Sequence, residues 1–163
     1  MKHSIKLSAL ILVAVAFLIT GCRGKQEISS SYSLFKFDTT CVGSNGDGSQ
    51  TLRAWGTGPS IDKAIEQAKK NAVSDVIFKG IKGDKGCNQN AIVTEVNARE
   101  RYEEYFDRFF ADGGEYLNFV YETSNKDRSR VKSKGNSREN YGVVVTVNRS
   151  ALRDQLRRDG IIK

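Results

Sequence analysis

Apolar and polar residues follow different periods along this chain, and each period predicts a strand or a helix. Alternation and β-forming residues, typical of strands, occur at residues 34–42, 50–56 and 115–123, and an almost continuous β-branched run fills residues 141–147. Spacing of three and four residues, typical of helices, occurs at residues 61–79, 97–112 and 151–158. This order predicts an α+β domain with an antiparallel sheet of four to five strands and two to three helices packed mainly on one face.

The first predicted helix has clear signals at both ends. Ser60 is placed to cap its start, and Gly80 follows its last apolar residues. Ala64, Ala68 and Ala72 recur one turn apart. Because small side chains let a helix lie close to a sheet, we expect this alanine strip to dock on the hairpin of residues 34–56.

The second predicted helix carries an aromatic stripe. Asn97 followed by Glu100 has the spacing of a capping box. Five aromatic residues then share one helix side: Tyr102, Tyr105, Phe106, Phe109 and Phe110. They could form a platform for a carbohydrate or peptide, but core packing is the more common role of such a stripe. We expect Tyr102 and Tyr105 to reach the surface.

The C-terminal residues predict a central strand that leads into a short helix. We expect Ser150 to cap this helix, Leu152 and Leu156 to fold back onto the core, and Gly160 to close it. The earlier glycine-rich segment 43–49 is interpreted as a hairpin loop. It lacks the spaced acidic ligands of a calcium loop and the Gly-Lys-Ser/Thr of a phosphate loop.

A run of alternating cations is the most suggestive surface feature. It comprises Lys126, Arg128, Arg130, Lys132 and Lys134. If this segment is extended, all five side chains project from one face and could bind an anionic lipid headgroup, an acidic wall polymer or an acidic protein. The alternatives are an edge strand protected by its charges and a loop.

The N-terminus has the layout of a secretory signal: a basic head, an apolar run over residues 7–19, and then Thr20, Gly21 and Cys22. The run is too short to span a bilayer as a helix. Its ending resembles the lipobox of bacterial lipoproteins, which implies cleavage before Cys22 and lipid attachment to it. The expected organisation is a signal peptide at 1–21, a tether at 22–32 and one domain at 33–163. An ordinary signal peptide cleaved near Gly21 is the alternative.

Composition then limits the chemistry. The only histidine, His3, would leave with the signal, which excludes Ser-His-Asp and Cys-His mechanisms and histidine zinc sites from the mature chain. We therefore expect no enzymatic activity, no metal and no cofactor. Outside the cytoplasm, Cys41 and Cys87 are expected to pair, with two free thiols as the alternative. The net charge of +7 falls by two when Lys2 and Lys6 are removed.

One further resemblance rests on Trp55-Gly56-Thr57-Gly58 before the alanine-rich helix, and on the C-terminal strand and helix. This arrangement resembles envelope lipoproteins of the LPP20 type. It is similar also to flagellar-associated lipoproteins and to the amino-terminal part of the flagellar T-ring protein. The resemblance implies a structural or interaction domain of the envelope, without a catalytic site.

Together these observations predict a lipid-anchored, non-enzymatic module of the bacterial envelope, most simply on the outer membrane facing the periplasm. Its expected partners are the membrane, through the anchor, and an envelope protein or a second copy. Nucleic acid and small-molecule ligands are not expected. The alternative function is a lipoprotein that captures an anionic glycan, lipid headgroup or peptide.

Overall fold

The computed structural model describes residues 38–83, 87–123, 128–132 and 139–163, and only the backbone of residues 129–132 and 139. Its strands are β1 (Thr40–Ser44), β2 (Gln50–Gly58), β3 (Val120–Glu122), β4 (Ser129–Lys132) and β5 (Glu139–Val147). Its helices are α1 (Ile61–Phe78), α2 (Ala98–Arg101), α3 (Glu103–Phe109) and α4 (Arg149–Arg158), with a 3₁₀ helix at Glu115–Phe119. The predicted α+β class is confirmed. The predicted signal peptide, the tether and residues 34–37 of the first predicted strand lie outside the described residues.

The sheet is antiparallel, and β5 lies inside it. β2 pairs with β5 along its whole length, from Gln50 opposite Val147 to Gly58 opposite Glu139. β1 pairs with β2 on one side, while β3 and β4 both pair with β5 on the other. β3 and β4 therefore follow one another along a single edge, so that five strands occupy four positions in the sheet.

α1 lies close against β2 in the core. Ala64, Ala68 and Ala72 are fully buried, as the alanine strip predicts. On β2, Gly56 faces them without a side chain, since a Cβ there would lie 2.1 Å from the Ala64 carbonyl oxygen and 2.3 Å from the Ala68 nitrogen. Small residues on both elements therefore let the helix backbone rest on the sheet.

The ends of α1 are those expected from the sequence. The Ser60 hydroxyl accepts a hydrogen bond from the Lys63 amide at 3.3 Å. Gly80 adopts a left-handed φ of 76° just after the helix, a conformation that glycine adopts without a Cβ clash. None of the helices in the described ranges is long and apolar enough to cross a membrane.

The second predicted helix is broken in two, and its predicted capping box is wrong. Asn97 has a left-handed φ of 63° and its side chain caps nothing, whereas a capping residue needs an extended backbone. Tyr102 then leaves the helical region and separates α2 from α3. The aromatic stripe packs in the core: Phe106 and Phe109 are buried, and Tyr102, Tyr105 and Phe110 pack against them partly exposed.

The predicted strand at residues 115–123 is half wrong. Its first five residues form the 3₁₀ helix, and only Val120–Glu122 pairs as β3. A 3₁₀ helix places residues i and i+3 on one side, and Tyr116 and Phe119 are buried accordingly. Leu117 and Tyr121, which a strand would place on the same face as Phe119, are exposed.

The C-terminal helix begins earlier than predicted and has a different cap. The Asn148 side-chain oxygen accepts a hydrogen bond from the Ala151 amide at 3.0 Å, so Asn148 caps α4 and Ser150 lies in its first turn. Leu152 and Leu156 are fully buried, and Gly160 is left-handed with φ 74°, both as expected. The earlier start brings Arg149 into the helix.

Candidate anion-binding pocket

The predicted cysteine pair is confirmed. Cys41 on β1 and Cys87 are bonded, with 2.04 Å between their sulfurs and a sequence separation of 46 residues. Gln89 then pairs with Ile81 through two backbone hydrogen bonds of 2.8 and 2.9 Å. The segment 87–90 is thus fixed to β1 by a covalent bond and to the end of α1 by a short bridge. The predicted lipid attachment residue, Cys22, lies outside the described residues.

The predicted basic strand is only partly described. β4 makes residues 129–132 extended, in register with β5 from Ser129 opposite Gly142 to Lys132 opposite Glu139. Arg128 precedes it and binds Glu122 through Nε at 2.6 Å and Nη2 at 3.0 Å. This pairing raises the pKa of Arg128 and lowers that of Glu122. Lys126 and Lys134 lie outside the described residues, so an anion-binding role for the five cations stays a prediction.

A different cationic site lies where β1, β2 and α4 meet. It is a pocket of about 440 Å³, within the range of small-ligand sites. The lining residues that matter here are Ser44, Gln50, Gln89, Arg149, Arg153 and Arg157.

The turn between β1 and β2 builds one wall of this pocket. The Asp47 carboxylate accepts hydrogen bonds from the Ser49 amide at 2.9 Å and the Ser49 hydroxyl at 2.6 Å. Gly48 has φ 82° and lies against Ser150, since a Cβ there would come within 2.2 Å of the Ser150 hydroxyl oxygen. The turn thereby closes on the start of α4 and sets Ser44 opposite Gln50.

Two buried polar side chains at the pocket lack full hydrogen bonding. Gln50 is 1% exposed, and within the described protein neither its Oε1 nor its Nε2 has a partner. Arg149 is 7% exposed; its Nη2 donates to the Asn90 carbonyl oxygen at 2.8 Å, while Nη1 has no partner in the described part of the chain. Buried polar groups are nearly always satisfied, so these atoms are a local cost to folding beside the pocket.

The electrostatics of the pocket favour an anion. Arg149, Arg153 and Arg157 are four residues apart on α4, a spacing that places them on one helix face. Burial, and then the charge of Arg153, lowers the pKa of Arg149, but a guanidinium keeps its proton at neutral pH. The single carboxylate in the lining, Asp154, accepts a hydrogen bond from Arg157 at 3.1 Å. Positive charge is therefore in excess.

This pocket was not predicted from the sequence, although two signals for it were present. The arginines recur at Arg149, Arg153 and Arg157, and Gln50 begins a strand face that continues with apolar Leu52 and Ala54. A polar residue at the first position of a buried face is unusual. Their proximity depends on the pairing of β2 with β5, which places Gln50 opposite Val147, two residues before Arg149; the sequence pattern did not give this pairing.

Comparison with known proteins adds no relative. The chain matches no protein-family model, no curated protein and no solved structure. In the ranges that the structure describes, no group of three or more His, Cys, Asp or Glu side chains could hold a metal ion. The pocket is therefore interpreted from its own geometry.

Proposed function

We propose that this chain is a lipid-anchored protein of the bacterial envelope that acts without catalysis, as an interaction domain that binds an anionic group of another envelope component. The anchor is Cys22, and the placement is the outer membrane facing the periplasm. The observation that supports recognition is the excess of positive charge in one pocket, where Arg149, Arg153 and Arg157 line a space of about 440 Å³ with one carboxylate among the lining residues. This favours ligand capture over a purely structural role.

The anchoring part of the proposal rests on the sequence pattern that ends at Cys22. Each buried CH₂ of an acyl chain contributes about 0.8 kcal/mol, and several chains on one residue hold a protein at the membrane. Expression of the full chain with metabolic palmitate labelling tests this. Wild type should carry label and partition into detergent, and Cys22→Ala should lose both. An unlabelled, soluble wild-type product would refute the anchor.

The binding part is tested with inorganic phosphate as the probe and two matched variants of α4. Arg153 lines the pocket, whereas Arg158 belongs to the same helix, carries the same charge and does not line it. We expect Arg153→Gln to weaken phosphate binding about tenfold, the value of one charge-assisted hydrogen bond. Arg158→Gln should change it less than about twofold because it removes only a distant charge.

The readout is ligand-observed nuclear magnetic resonance on the full chain in detergent, at two salt concentrations. Equal losses in both variants would mean that phosphate responds to overall charge, and the pocket would not be the site. A loss confined to Arg153→Gln supports the proposal. Pull-down from the envelope with wild type and Arg153→Gln would then identify components that depend on the pocket.

A further inference from the structure

The described residues that line the pocket include no apolar side chain. Eight of the nine carry hydroxyl, amide, guanidinium or carboxylate groups, and the ninth is Gly48. Protein interfaces usually place aromatic or aliphatic residues at their centre. The lining therefore suits a small, fully polar anion better than a segment of another protein.

The groups that such an anion can reach belong to the rim of the pocket. Arg153 and Arg157 are exposed and lie one turn apart on α4. The exposed hydroxyls of Ser44 and Ser150 line the same space. Arg149 is only 7% exposed, so its charge acts at a distance. Two guanidiniums and two hydroxyls suit a phosphate group, because its oxygens accept hydrogen bonds from several sides and arginine binds them with paired N–H groups.

The C-terminal segment adds attraction over a longer range. Residues 148–163 carry five cationic and two acidic side chains. Both acids have partners, since Asp154 accepts a hydrogen bond from Arg157 at 3.1 Å and Asp159 accepts one from Tyr105 at 2.7 Å. An anionic bilayer surface attracts such a segment within about a Debye length.

The proposed anchor keeps the pocket near a dense array of phosphates. Cys22 and Thr40, the first residue of β1, are 18 residues apart in sequence, and a chain of that length reaches at most about 60 Å. Ser44 lies about 14 Å further along β1. Because every phospholipid of the bilayer carries a phosphate, tethering presents this group to the pocket at a high effective concentration.

We propose that the pocket binds the phosphate of an anionic phospholipid headgroup, so that α4 rests against the bilayer in which the chain is anchored. This inference rests on the proposed anion-binding function and its anchor, and it names the partner. Arg153 and Arg157 hold the phosphate oxygens, and Ser44 and Ser150 donate to them. A soluble phosphate ester has the same chemistry, so the test separates the two sources.

Arginine footprinting on the lipidated full chain tests the proposal. Phenylglyoxal modifies accessible guanidinium groups, and mass spectrometry gives the rate for each arginine. The chain is inserted into vesicles of phosphatidylcholine, whose phosphate is neutralised by its choline, or of phosphatidylcholine mixed with phosphatidylglycerol. The anionic vesicles should slow modification of Arg153 and Arg157 about fivefold, the factor expected for one cation at an anionic surface.

Two variants of α4 separate a bound headgroup from diffuse attraction. In Arg153→Gln the protection of Arg157 should be lost, because the phosphate loses one of its two guanidiniums. In Arg158→Gln, which removes the same charge outside the pocket lining, the protection should remain. Equal losses in both variants would mean that the surface attracts any cation of the segment, and the headgroup site would be wrong.

The soluble headgroup glycerophosphoglycerol separates this inference from the proposed function. Added to the chain in neutral vesicles, it should protect Arg153 only at a bulk concentration far above that of the anionic lipid. If the soluble ester protects and the anionic vesicles do not, the membrane is rejected as the partner while the anion site stands. If neither vesicles, ester nor inorganic phosphate protects the pocket arginines, the proposed function itself is overturned.

Discussion

The two ends of β2 carry different kinds of residue on the same buried face, glycines at one end and a polar glutamine at the other. At its C-terminal end, Gly56 and Gly58 have no side chains, and the backbone of α1 lies against them. At its N-terminal end, Gln50 occupies the same face with an amide that has no partner among the described residues. Both ends are almost fully buried, so burial alone does not distinguish them.

The difference shows which end is shaped for stability and which for recognition. At the glycine end, small residues maximise contact between helix and sheet, and such close packing is a major source of stability. At the glutamine end, a buried unsatisfied amide costs free energy. Proteins retain local costs of this kind mainly at functional sites. Substitutions at each end of β2, and removal of the disulfide that fixes the segment 87–90, test this division.

The largest expected effect is removal of the disulfide at the pocket end. Cys41→Ala with Cys87→Ala opens a link between residues 46 apart, for which loop-closure entropy gives about 4 kcal/mol of lost stability. Urea denaturation measures the free energy of unfolding. A reductant should bring wild type to the same curve and leave the double variant unchanged. A loss below about 1 kcal/mol would mean that packing, rather than the bond, fixes the segment 87–90.

The next effect should come from adding one methyl group at the glycine end. In Gly56→Ala the new Cβ would lie 2.1 Å from the Ala64 carbonyl oxygen, so α1 must move away, at a cost of about 3 kcal/mol. Gly43→Ala is the matched control on β1, because a Cβ there meets nothing within 4 Å. Thermal unfolding followed by circular dichroism compares the two. Equal melting temperatures would show that the helix is not held against β2 as described.

Sequence patterns predict the closely packed elements of this molecule better than they predict the pocket. Periodicity located β2, α1 and the buried β5, because those elements are specified by residues close together in sequence. It failed at Tyr116, whose burial reflects a local 3₁₀ turn, and at Asn97, whose backbone is left-handed. It also could not predict that Gln50 lies near Arg149, because their proximity depends on pairing between strands that are far apart in sequence.

A third prediction is that replacing the site amide stabilises the fold. Gln50→Met removes a buried donor and acceptor without partners among the described residues and keeps an unbranched side chain, so the free energy of unfolding should rise by about 1–2 kcal/mol. The matched control is Gln67→Met on α1, where the amide donates to Asn71 at 2.9 Å and no gain is expected. Urea denaturation of the three proteins gives the comparison. A loss of stability in Gln50→Met would place that glutamine among the structural residues.

The smallest effect concerns surface charge beside α1. Hydrogen bonds from Lys70 at 2.6 Å and Lys63 at 3.0 Å hold the pKa of Asp112 at about 2, below its ordinary 3.8. Because the folded pKa is the lower one, the stabilisation is present above pH 4 and is lost as the pH falls through about 2. Asp112 is 68% exposed, so screening by solvent limits the loss in Asp112→Asn to about 0.5 kcal/mol at neutral pH.

Urea denaturation at pH 6 and at pH 2 measures this contribution. The curves of wild type and Asp112→Asn should differ slightly at pH 6 and approach each other at pH 2, as the carboxyl group takes up a proton. A difference that persists unchanged at pH 2 would assign the effect to the shape of the side chain instead of its charge. A loss several times larger than expected would mean that ion pairs, and not only close packing, hold α1 in place. Charged side chains would then matter at the glycine end of β2 as well as at the pocket end.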